Sequence, residues 1–229
     1  METALYLPVK RFLENLGFTV KGEVGGCDLV ALSGDDPPIV VIGELKLSFN
    51  LELILQAGAT SKSAIIDIGG GASRLVDHLV EQGFEDLTVL DLSGAALAAA
   101  KSRLESRVGA RAGRVSWIVA DATTFEPARP YDIWHDRAAF HFLTDASDRA
   151  AYIARLGRGL KIGGHAIIAT FALDGPEKCS GLPVARYDSA SLGRTLGTAF
   201  KLMHTQRHEH ATPWDSRQIF QFSVFRRES

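Results

Sequence analysis

Residues 64–91 read AIIDIGGGASRLVDHLVEQGFEDLTVLD, and this stretch decides the predicted fold. A buried apolar run from Ala64 to Ile68 meets three consecutive glycines, Gly69, Gly70 and Gly71. Apolar residues then recur at helical spacing, and a second apolar run, Leu87 to Leu90, ends on Asp91. A strand, a glycine turn, a helix and a strand that ends on an acid predict half of a nucleotide-binding α/β unit.

The same alternation of strands and helices continues toward the C-terminus. The pattern predicts strands over 115–119, 131–134 and 165–171, and helices over 94–107, 146–160 and 189–197. Repeated β-α-β units imply a parallel sheet with right-handed crossovers. Two successive strand-like runs, 200–208 and 218–225, predict an antiparallel hairpin at the sheet edge. We therefore predict a doubly wound, Rossmann-like, seven-stranded α/β fold that ends in an antiparallel hairpin.

Composition limits the classes of function. The 229 residues are 46% apolar and carry a net charge of −2, which gives no global attraction to nucleic acid or to a membrane surface. Cys27 and Cys179 are too few for a disulfide framework or a four-cysteine zinc site. No apolar run reaches the roughly 18 residues of a spanning helix, and no signal peptide begins the sequence. We expect a cytoplasmic protein with no nucleic-acid or membrane partner.

Two nucleotide-binding motifs fit the glycine turn poorly. A phosphate-binding Walker A loop needs Gly-Lys followed by Ser or Thr, but Gly71 is followed by Ala72-Ser73-Arg74. A dinucleotide fingerprint needs a small residue at the position of Arg74, where helix and strand pack closely. Asp91 stands where a ribose-binding acid belongs, so the dinucleotide alternative stays open at a lower weight.

Residues 51–225 resemble class I S-adenosylmethionine-dependent methyltransferases. Asp67-Ile68-Gly69-Gly70-Gly71 is similar to the first motif of that family, an acid at a strand end followed by Gly-x-Gly. The resemblance implies S-adenosylmethionine as cofactor, with Asp91 on the ribose hydroxyls and Asp121 facing the adenine amino group. It also implies a reversed seventh strand, which the C-terminal hairpin would provide. The implied cofactor-binding residues are Asp67, Gly69, Gly70, Gly71, Asp91, Leu92, Asp121 and Ala122.

The resemblance places the methyl acceptor beside the segment after the fourth strand of the domain. His135 and His141 are candidates for a general base or for substrate contacts, and Asp136 is a candidate to orient one of them. Phe140 and Cys179 are candidate substrate contacts, although both residue types more often serve packing. The loop from Glu177 to Pro183 is a candidate wall of the acceptor site.

The first fifty residues follow a different pattern, and we assign them to an α+β appendage before a methyltransferase domain at 51–229. A short helix and strands over 18–24, 27–32 and 39–47 are predicted there. Asp28 and Glu44-Leu45-Lys46 resemble a fragment of the PD-(D/E)XK nuclease-like superfamily, in which such residues hold a divalent metal. The other interpretations are a lid on the domain, or a solvent-facing Glu-Lys pair.

The sequence thus predicts SN2 methyl transfer to a nucleophilic oxygen, nitrogen or sulfur. A small-molecule acceptor is favoured, and a protein side chain is the open alternative. A non-catalytic S-adenosylmethionine-binding module is the main alternative, and a metal-dependent nuclease built on Asp28, Glu44 and Lys46 is a weaker one. His204, His208 and His210 are predicted to form a solvated strand face, and no metal site is predicted. The sequence does not indicate the oligomeric state.

Overall fold

The computed structural model describes residues 14, 17–24, 27–34, 40–43, 46–211 and 217–229. Its main sheet has seven strands in the order β11-β12-β8-β7-β4-β5-β6, with β4 to β8 parallel and β12 antiparallel to β8. Their bounds are Ala64–Ile68 (β4), Asp86–Asp91 (β5), Val115–Val119 (β6), Tyr131–Arg137 (β7), Leu160–Phe171 (β8), Phe200–Ala211 (β11) and Arg217–Arg227 (β12). This is the predicted doubly wound fold with its C-terminal antiparallel hairpin.

Helices cover both faces of this sheet. The helices are Lys46–Gln56 (α1), Leu75–Glu81 (α2), Gly94–Val108 (α3), Ala146–Gly159 (α4) and Ser189–Leu196 (α5), with 3-10 turns at Gly109–Arg114 and Phe140–Phe142. The first three pack on one face and the last two on the other, each burying an apolar stripe. Strand β4 is buried along its whole length because it lies at the centre between two helical layers.

Ser93 and Asp145 both precede helices of the main domain, but only one of them caps its helix. Ser93 caps α3, since its hydroxyl accepts a hydrogen bond from the Ala96 N–H at 3.2 Å. Asp145 precedes α4, but its side chain makes no capping hydrogen bond to the helix.

Strand β7 is longer than predicted and runs to Arg137 rather than ending at Trp134. It pairs with β4 on one side and with β8 on the other, so its backbone groups stay in ladders through Asp136. His135 and Asp136 therefore belong to a strand and not to the loop that we expected. Because side chains alternate along a strand, the two residues face opposite sides of the sheet.

The N-terminal part contains a separate three-stranded antiparallel sheet, β1-β2-β3, with strands Thr19–Val24, Cys27–Leu32 and Val40–Gly43. The third strand does not continue to Leu47 as predicted, because α1 begins at Lys46. Helix α1 also crosses the boundary that we placed at residue 50. Its Leu53 and Ile54 are buried in the core of the main domain, so the helix packs as part of that domain.

Much of the nuclease-like fragment cannot be placed. The predicted helix over 5–16, apart from residue 14, and Glu44 lie outside the described residues, as do the side chains of Asp28 and Lys46. The nuclease resemblance therefore stays a prediction. Among the described helices, none is long and apolar enough to cross a membrane.

Candidate functional site

The glycine turn after β4 packs closely against neighbouring residues, so it leaves no room for side chains. Gly69 and Gly71 have φ values of 67° and 45°, in the left-handed region that glycine tolerates best. A Cβ at Gly70 would lie 2.5 Å from Val89 Cγ1 and 2.7 Å from Asp67 Oδ2. The Gly69 N–H donates to the Leu90 carbonyl at 2.8 Å, which fixes the turn beside the end of β5. The turn thus exposes bare backbone at the carboxyl edge of the sheet, where ligands of such folds bind.

Asp91 ends β5 directly opposite this turn. Its Oδ1 accepts a hydrogen bond from the Ser93 N–H at 2.7 Å, which fixes the orientation of the carboxylate. Its Oδ2 lies 3.0 Å from the position that a Cβ of Gly71 would occupy. The second oxygen of Asp91 therefore faces the glycine turn, in position to accept hydrogen bonds from a ligand that lies across it.

Asp121 follows β6 and is held in a similar way. Both the N–H and the hydroxyl of Thr123 donate to Asp121 Oδ1 at 2.7 Å. The carbonyl of Asp121 accepts from the N–H of Thr124 and of Phe125, which fixes the backbone of the turn. Asp121 and Ala122 line the same cavity as Asp91.

Two cavities meet at this edge of the sheet. The larger has a volume of about 620 Å³ and contains Gly69, Asp91, Leu92, Asp121 and Ala122 from the predicted cofactor-binding set. The smaller has a volume of about 380 Å³ and contains Asp67, Gly69, Gly70, Gly71 and His135. Gly69 and Ala138 line both cavities, so together they form one continuous site. Volumes of this size are typical of small-molecule sites.

Asp67 and His135 form a buried pair on the side of the small cavity. They face each other across β4 and β7, and the Nδ1 of His135 donates to Asp67 Oδ1 at 2.7 Å. His135 is 2% exposed, and its Nε2 has no hydrogen-bond partner among the described residues. His135 thus lines the small cavity with a ring nitrogen that is free to bind a ligand.

Asp136 accepts hydrogen bonds from the loop after β7 and forms no hydrogen bond with either candidate histidine. Its carboxylate accepts from the N–H of Ala139 and Phe140 and from the Tyr152 hydroxyl at 2.6 Å. Burial raises the pKa of Asp136 to about 6, and these hydrogen bonds act in the opposite direction. The geometry makes Asp136 an anchor for the backbone beside Ala138, whose φ of 64° is unusual for a residue with a side chain.

His141 and Phe140 lie beneath the site rather than in it. His141 is fully buried against the rings of Phe142 and Phe171, and neither ring nitrogen has a partner among the described residues. Burial lowers the pKa of His141 to about 4, which keeps the ring neutral at ordinary pH. Phe140 packs against Tyr152 and Tyr187. Neither residue lines either cavity, so their predicted roles as base and substrate contact find no support in this geometry.

The loop after β8 reaches the large cavity through a small hairpin. Strands Lys178–Cys179 (β9) and Leu182–Pro183 (β10) pair antiparallel, and Leu182 and Pro183 line the cavity wall. Cys179 lies on the paired strand and packs against the apolar core instead of lining a cavity. The part of the loop at 177–183 predicted as an acceptor wall is therefore its second half.

Several residues of the site were missed from the sequence. Asn50, Arg137 and Phe220 line the small cavity, and Phe142, Asp148 and Tyr152 line the large one. Asn50 was missed because we began the domain at residue 51, one residue after it. An Asn on the core face of a helix is nevertheless a sequence signal for a functional residue. Arg137 would have been found if β7 had been extended by three residues, since it then follows His135 at the alternation of a strand.

The described residues contain no group of three or more His, Cys, Asp or Glu side chains that could hold a metal ion. His204 and His208 lie on the exposed edge strand β11.

Comparison with known proteins agrees with this geometry. Residues 66–166 match the family model of a methyltransferase domain, and no curated protein matches the sequence. The fold is similar to that of the N-methyltransferase NodS from Bradyrhizobium japonicum in complex with S-adenosyl-L-homocysteine. That pair is 20% identical, covers 80% of this chain and 86% of NodS, and has a TM-score of 0.62.

Two further solved structures have the same fold. An S-adenosylmethionine-dependent methyltransferase from Methanosarcina mazei is 15% identical over 76% of this chain and 96% of its own, with a TM-score of 0.60. A putative methyltransferase from Bacillus halodurans is 16% identical over 80% of this chain and 100% of its own, also with a TM-score of 0.60. Residues 66–166 thus match a methyltransferase domain, and the strand order of the sheet agrees with the fold of these solved methyltransferases.

Proposed function

We propose that this chain is a methyltransferase that transfers the methyl group of S-adenosylmethionine to a nucleophilic atom of a small molecule. The observation that carries the proposal is the large cavity, in which Asp91 and Asp121 flank a glycine turn with no room for a Cβ at Gly70. A ligand with a ribose and an aminopurine matches such a site, because both parts offer hydrogen-bond donors to carboxylates.

The residues of the site fit this cofactor without a phosphate-binding group. Asp91 would take the ribose hydroxyls, and Asp121 would take the adenine amino group beside Ala122. Leu92 is 73% exposed at the cavity wall, an unusual position for a leucine and one that an adenine ring would cover. The glycine turn would allow the chain to approach the thioether part closely.

Positioning of the cofactor and the acceptor accounts for the rate acceleration that we propose. The cofactor supplies an electrophilic methyl group on a positively charged sulfur. Residues of the chain hold the reactants in line and exclude water, which can contribute several kcal/mol to a bimolecular step, about 7–11 kcal/mol in the best-oriented cases. Asp136 contributes indirectly because it anchors the Ala138 segment where the two cavities join. Neither His135 nor His141 lines the large cavity, so we propose that the acceptor binds with its nucleophilic atom already unprotonated.

Charge in the large cavity favours an acceptor that binds in its neutral form over an anionic one. Asp91, Asp121 and Asp148 are among its lining residues, whereas none of the described lining residues is Lys, Arg or His. Phe142, Leu143, Leu182 and Pro183 form an apolar wall of the same cavity. A small amine with an apolar body suits this surface best, and an anionic acceptor suits it least.

The comparison with NodS supports the same choice at the level of analogy. NodS is an N-methyltransferase that was solved with S-adenosyl-L-homocysteine, the product of the cofactor. We extend only the reaction class to this chain. The proposed cytoplasmic location rests on the sequence, whose two cysteines are too few for a disulfide framework.

The test is formation of S-adenosylhomocysteine with a panel of small amines, phenols, thiols and carboxylates. We expect product with amines above all, each product heavier by one methylene group, and much less product from the Asp91→Ala variant at a cofactor concentration below saturation. If carboxylates are the best acceptors, the acceptor class is wrong. If the cofactor binds but no compound in a broad panel is methylated, the proposed activity is wrong.

A further inference from the structure

Two groups of residues line the large cavity. The ends of the parallel strands contribute Gly69, Asp91 and Asp121, where the proposed cofactor would bind. The segment after β7, helix α4 and the β9-β10 hairpin contribute the second group, which we call the acceptor-side wall. When the cofactor occupies the first group, a methyl acceptor contacts this wall. Its main residues are Phe142, Leu143, Asp148, Tyr152, Leu182 and Pro183.

Asp148 is the acid of the acceptor-side wall. It lies in the first turn of α4 and is exposed at the cavity. No hydrogen bond or ion pair joins its carboxylate to any other residue in the described part of the chain. Asp91 and Asp121 differ from it, because the Oδ1 of each accepts a hydrogen bond from a residue two positions later. The carboxylate of Asp148 is therefore free to bind a cation in the cavity.

Helix α4 holds Asp148 in place beside the cavity. Tyr152 lies four residues later on the same face of the helix, which is about 6 Å along the axis at 1.5 Å per residue. The Tyr152 hydroxyl accepts from Trp134 Nε1 at 2.8 Å and donates to Asp136 Oδ2 at 2.6 Å. These buried hydrogen bonds keep this face of α4 toward the cavity, so Asp148 lies one helical turn from the buried Tyr152 ring.

The neighbouring cation is bound to the loop before the helix and not to Asp148. The Nη1 of Arg149 donates to the carbonyls of Leu143 and Thr144 at 2.9 and 2.6 Å. Among the described residues that line the large cavity, none is Lys, Arg or His. The same two hydrogen bonds hold Leu143 next to the start of α4. An apolar surface and an uncompensated negative charge thus lie side by side on the acceptor-side wall.

Such a wall matches an organic cation with an apolar body. Leu182 is 59% exposed at the cavity, and a bound apolar group would cover it. An anionic group at the same place would be repelled by Asp148. Because a methyl acceptor attacks with a lone pair, its reacting atom is unprotonated. The cationic group that pairs with Asp148 must therefore be a different group of the acceptor.

We propose that Asp148 is a specificity-determining residue that binds a cationic group of the acceptor, away from the atom that is methylated. The inference rests on the proposed function and narrows its substrate class. The acceptor then has an unprotonated nucleophile at one end, an apolar body that contacts Phe142, Leu143 and Leu182, and an ammonium or similar cation at the other end.

Three anilines with the same unprotonated nucleophile at neutral pH test this inference. The tail is cationic in 4-(2-aminoethyl)aniline, neutral in 4-propylaniline and anionic in 3-(4-aminophenyl)propanoate. Each is titrated by calorimetry into the S-adenosylhomocysteine complex of the wild type, of Asp148→Asn and of Asp145→Asn. The wild type should bind the cationic aniline most tightly and the anionic one least. Asp148→Asn should weaken the cationic aniline about three- to fivefold, the range of a partly exposed ion pair, and strengthen binding of the anionic one.

Asp145→Asn is the matched control. Asp145 is an exposed acid three residues earlier at the same end of α4, makes no capping hydrogen bond and does not line the cavity. The same loss of charge beside the helix dipole should leave all three affinities unchanged. Unchanged affinity of Asp148→Asn for 4-propylaniline shows that this variant is folded. Equal changes in both variants, or no change in Asp148→Asn, would overturn the role of Asp148.

Failure of this inference and failure of the proposed function give different results. If the wild type does not bind S-adenosylhomocysteine, the proposed function is wrong, and the anilines are titrated into the free protein. A preference for the cationic aniline that Asp148→Asn removes then still supports a cation site at Asp148. If the wild type binds none of the three anilines, or binds all three equally, Asp148 selects no cation and the inference is wrong.

Discussion

Two buried titratable residues below the site act in opposite directions on stability. Asp136 keeps its proton to a pKa of about 6 in the folded chain, against an ordinary value of 3.8. His141 loses its proton at a pKa of about 4, against an ordinary value of 6.5. Between those limits the folded chain holds one proton more at Asp136 and one fewer at His141 than the unfolded chain. The free energy of unfolding therefore falls with rising pH through Asp136 and rises through His141.

The two effects should nearly cancel in the wild type. Each shift of about two pK units corresponds to about 3 kcal/mol at 1.36 kcal/mol per unit. In Asp136→Asn only the effect of His141 remains. The free energy of unfolding of this variant, relative to the wild type, should therefore increase as the pH rises from about 4 to about 6.5. In His141→Leu only the effect of Asp136 remains, so the free energy of unfolding of this variant should decrease over nearly the same rise in pH. Urea unfolding at several pH values measures both slopes, and curves parallel to the wild type would contradict these assignments.

At the level of residues, a motif can fix where a side chain lies. Asp91, Asp121 and Asp67 line the two cavities, because each ends a strand or lies within two residues of its end at the same edge of the sheet, and their contacts with the cofactor stay a prediction. Asp136 and His141 could not be judged in this way. Their roles depend on where β7 ends and on which loop residues turn inward, and neither is encoded by local spacing.

The geometry of the glycine turn depends on the absence of a side chain at Gly70. Gly70→Ala would push a Cβ against Val89 and Asp67, so the turn must move away from the cavity. We expect a loss of about 1–3 kcal/mol in stability and at least about tenfold in affinity for S-adenosylhomocysteine. Gly113→Ala is the control, since a Cβ at Gly113 would meet nothing within 4 Å. Wild-type affinity in Gly70→Ala would show that the turn does not contact the cofactor.

Arg103 of helix α3 stabilises the segment after the glycine turn. Its guanidinium donates to both carboxylate oxygens of Asp77 and to the carbonyls of Ala72 and Ser73 at 2.7–3.1 Å. Asp77 is fully buried, so removal of Arg103 would leave an unpaired charge inside the protein. One turn further along the same two helices, Arg107 pairs with Glu81 at the surface.

These two ion pairs make a matched test. Arg103→Gln should cost about 3 kcal/mol of unfolding free energy, whereas Arg107→Gln should cost about 0–1 kcal/mol. Arg103→Gln should also weaken S-adenosylhomocysteine binding several-fold, because Ala72 and Ser73 line the small cavity. Chemical denaturation and calorimetry of both variants check this, and equal losses in stability would contradict the bracing role.

At the scale of the whole molecule, local periodicity predicted the main sheet and most helix bounds well. Strands that are apolar on both faces and glycines at helix ends are strong signals in a doubly wound fold. The small cavity could not be predicted in the same way. Asn50, Arg137 and Phe220 come from a helix before the first parallel strand, from the fourth parallel strand and from the C-terminal hairpin. Only the folded chain brings these distant positions together.

The central claim concerns the cofactor, and one calorimetric titration tests it most directly. S-adenosylmethionine is titrated into the wild type, into Asp91→Ala and into Asp86→Ala, which alters an exposed acid at the opposite end of β5. We predict binding by the wild type and Asp86→Ala, and an affinity at least about tenfold lower for Asp91→Ala, since hydrogen bonds to its carboxylate are lost. No binding by the wild type, or equal affinity in all three proteins, would contradict the account.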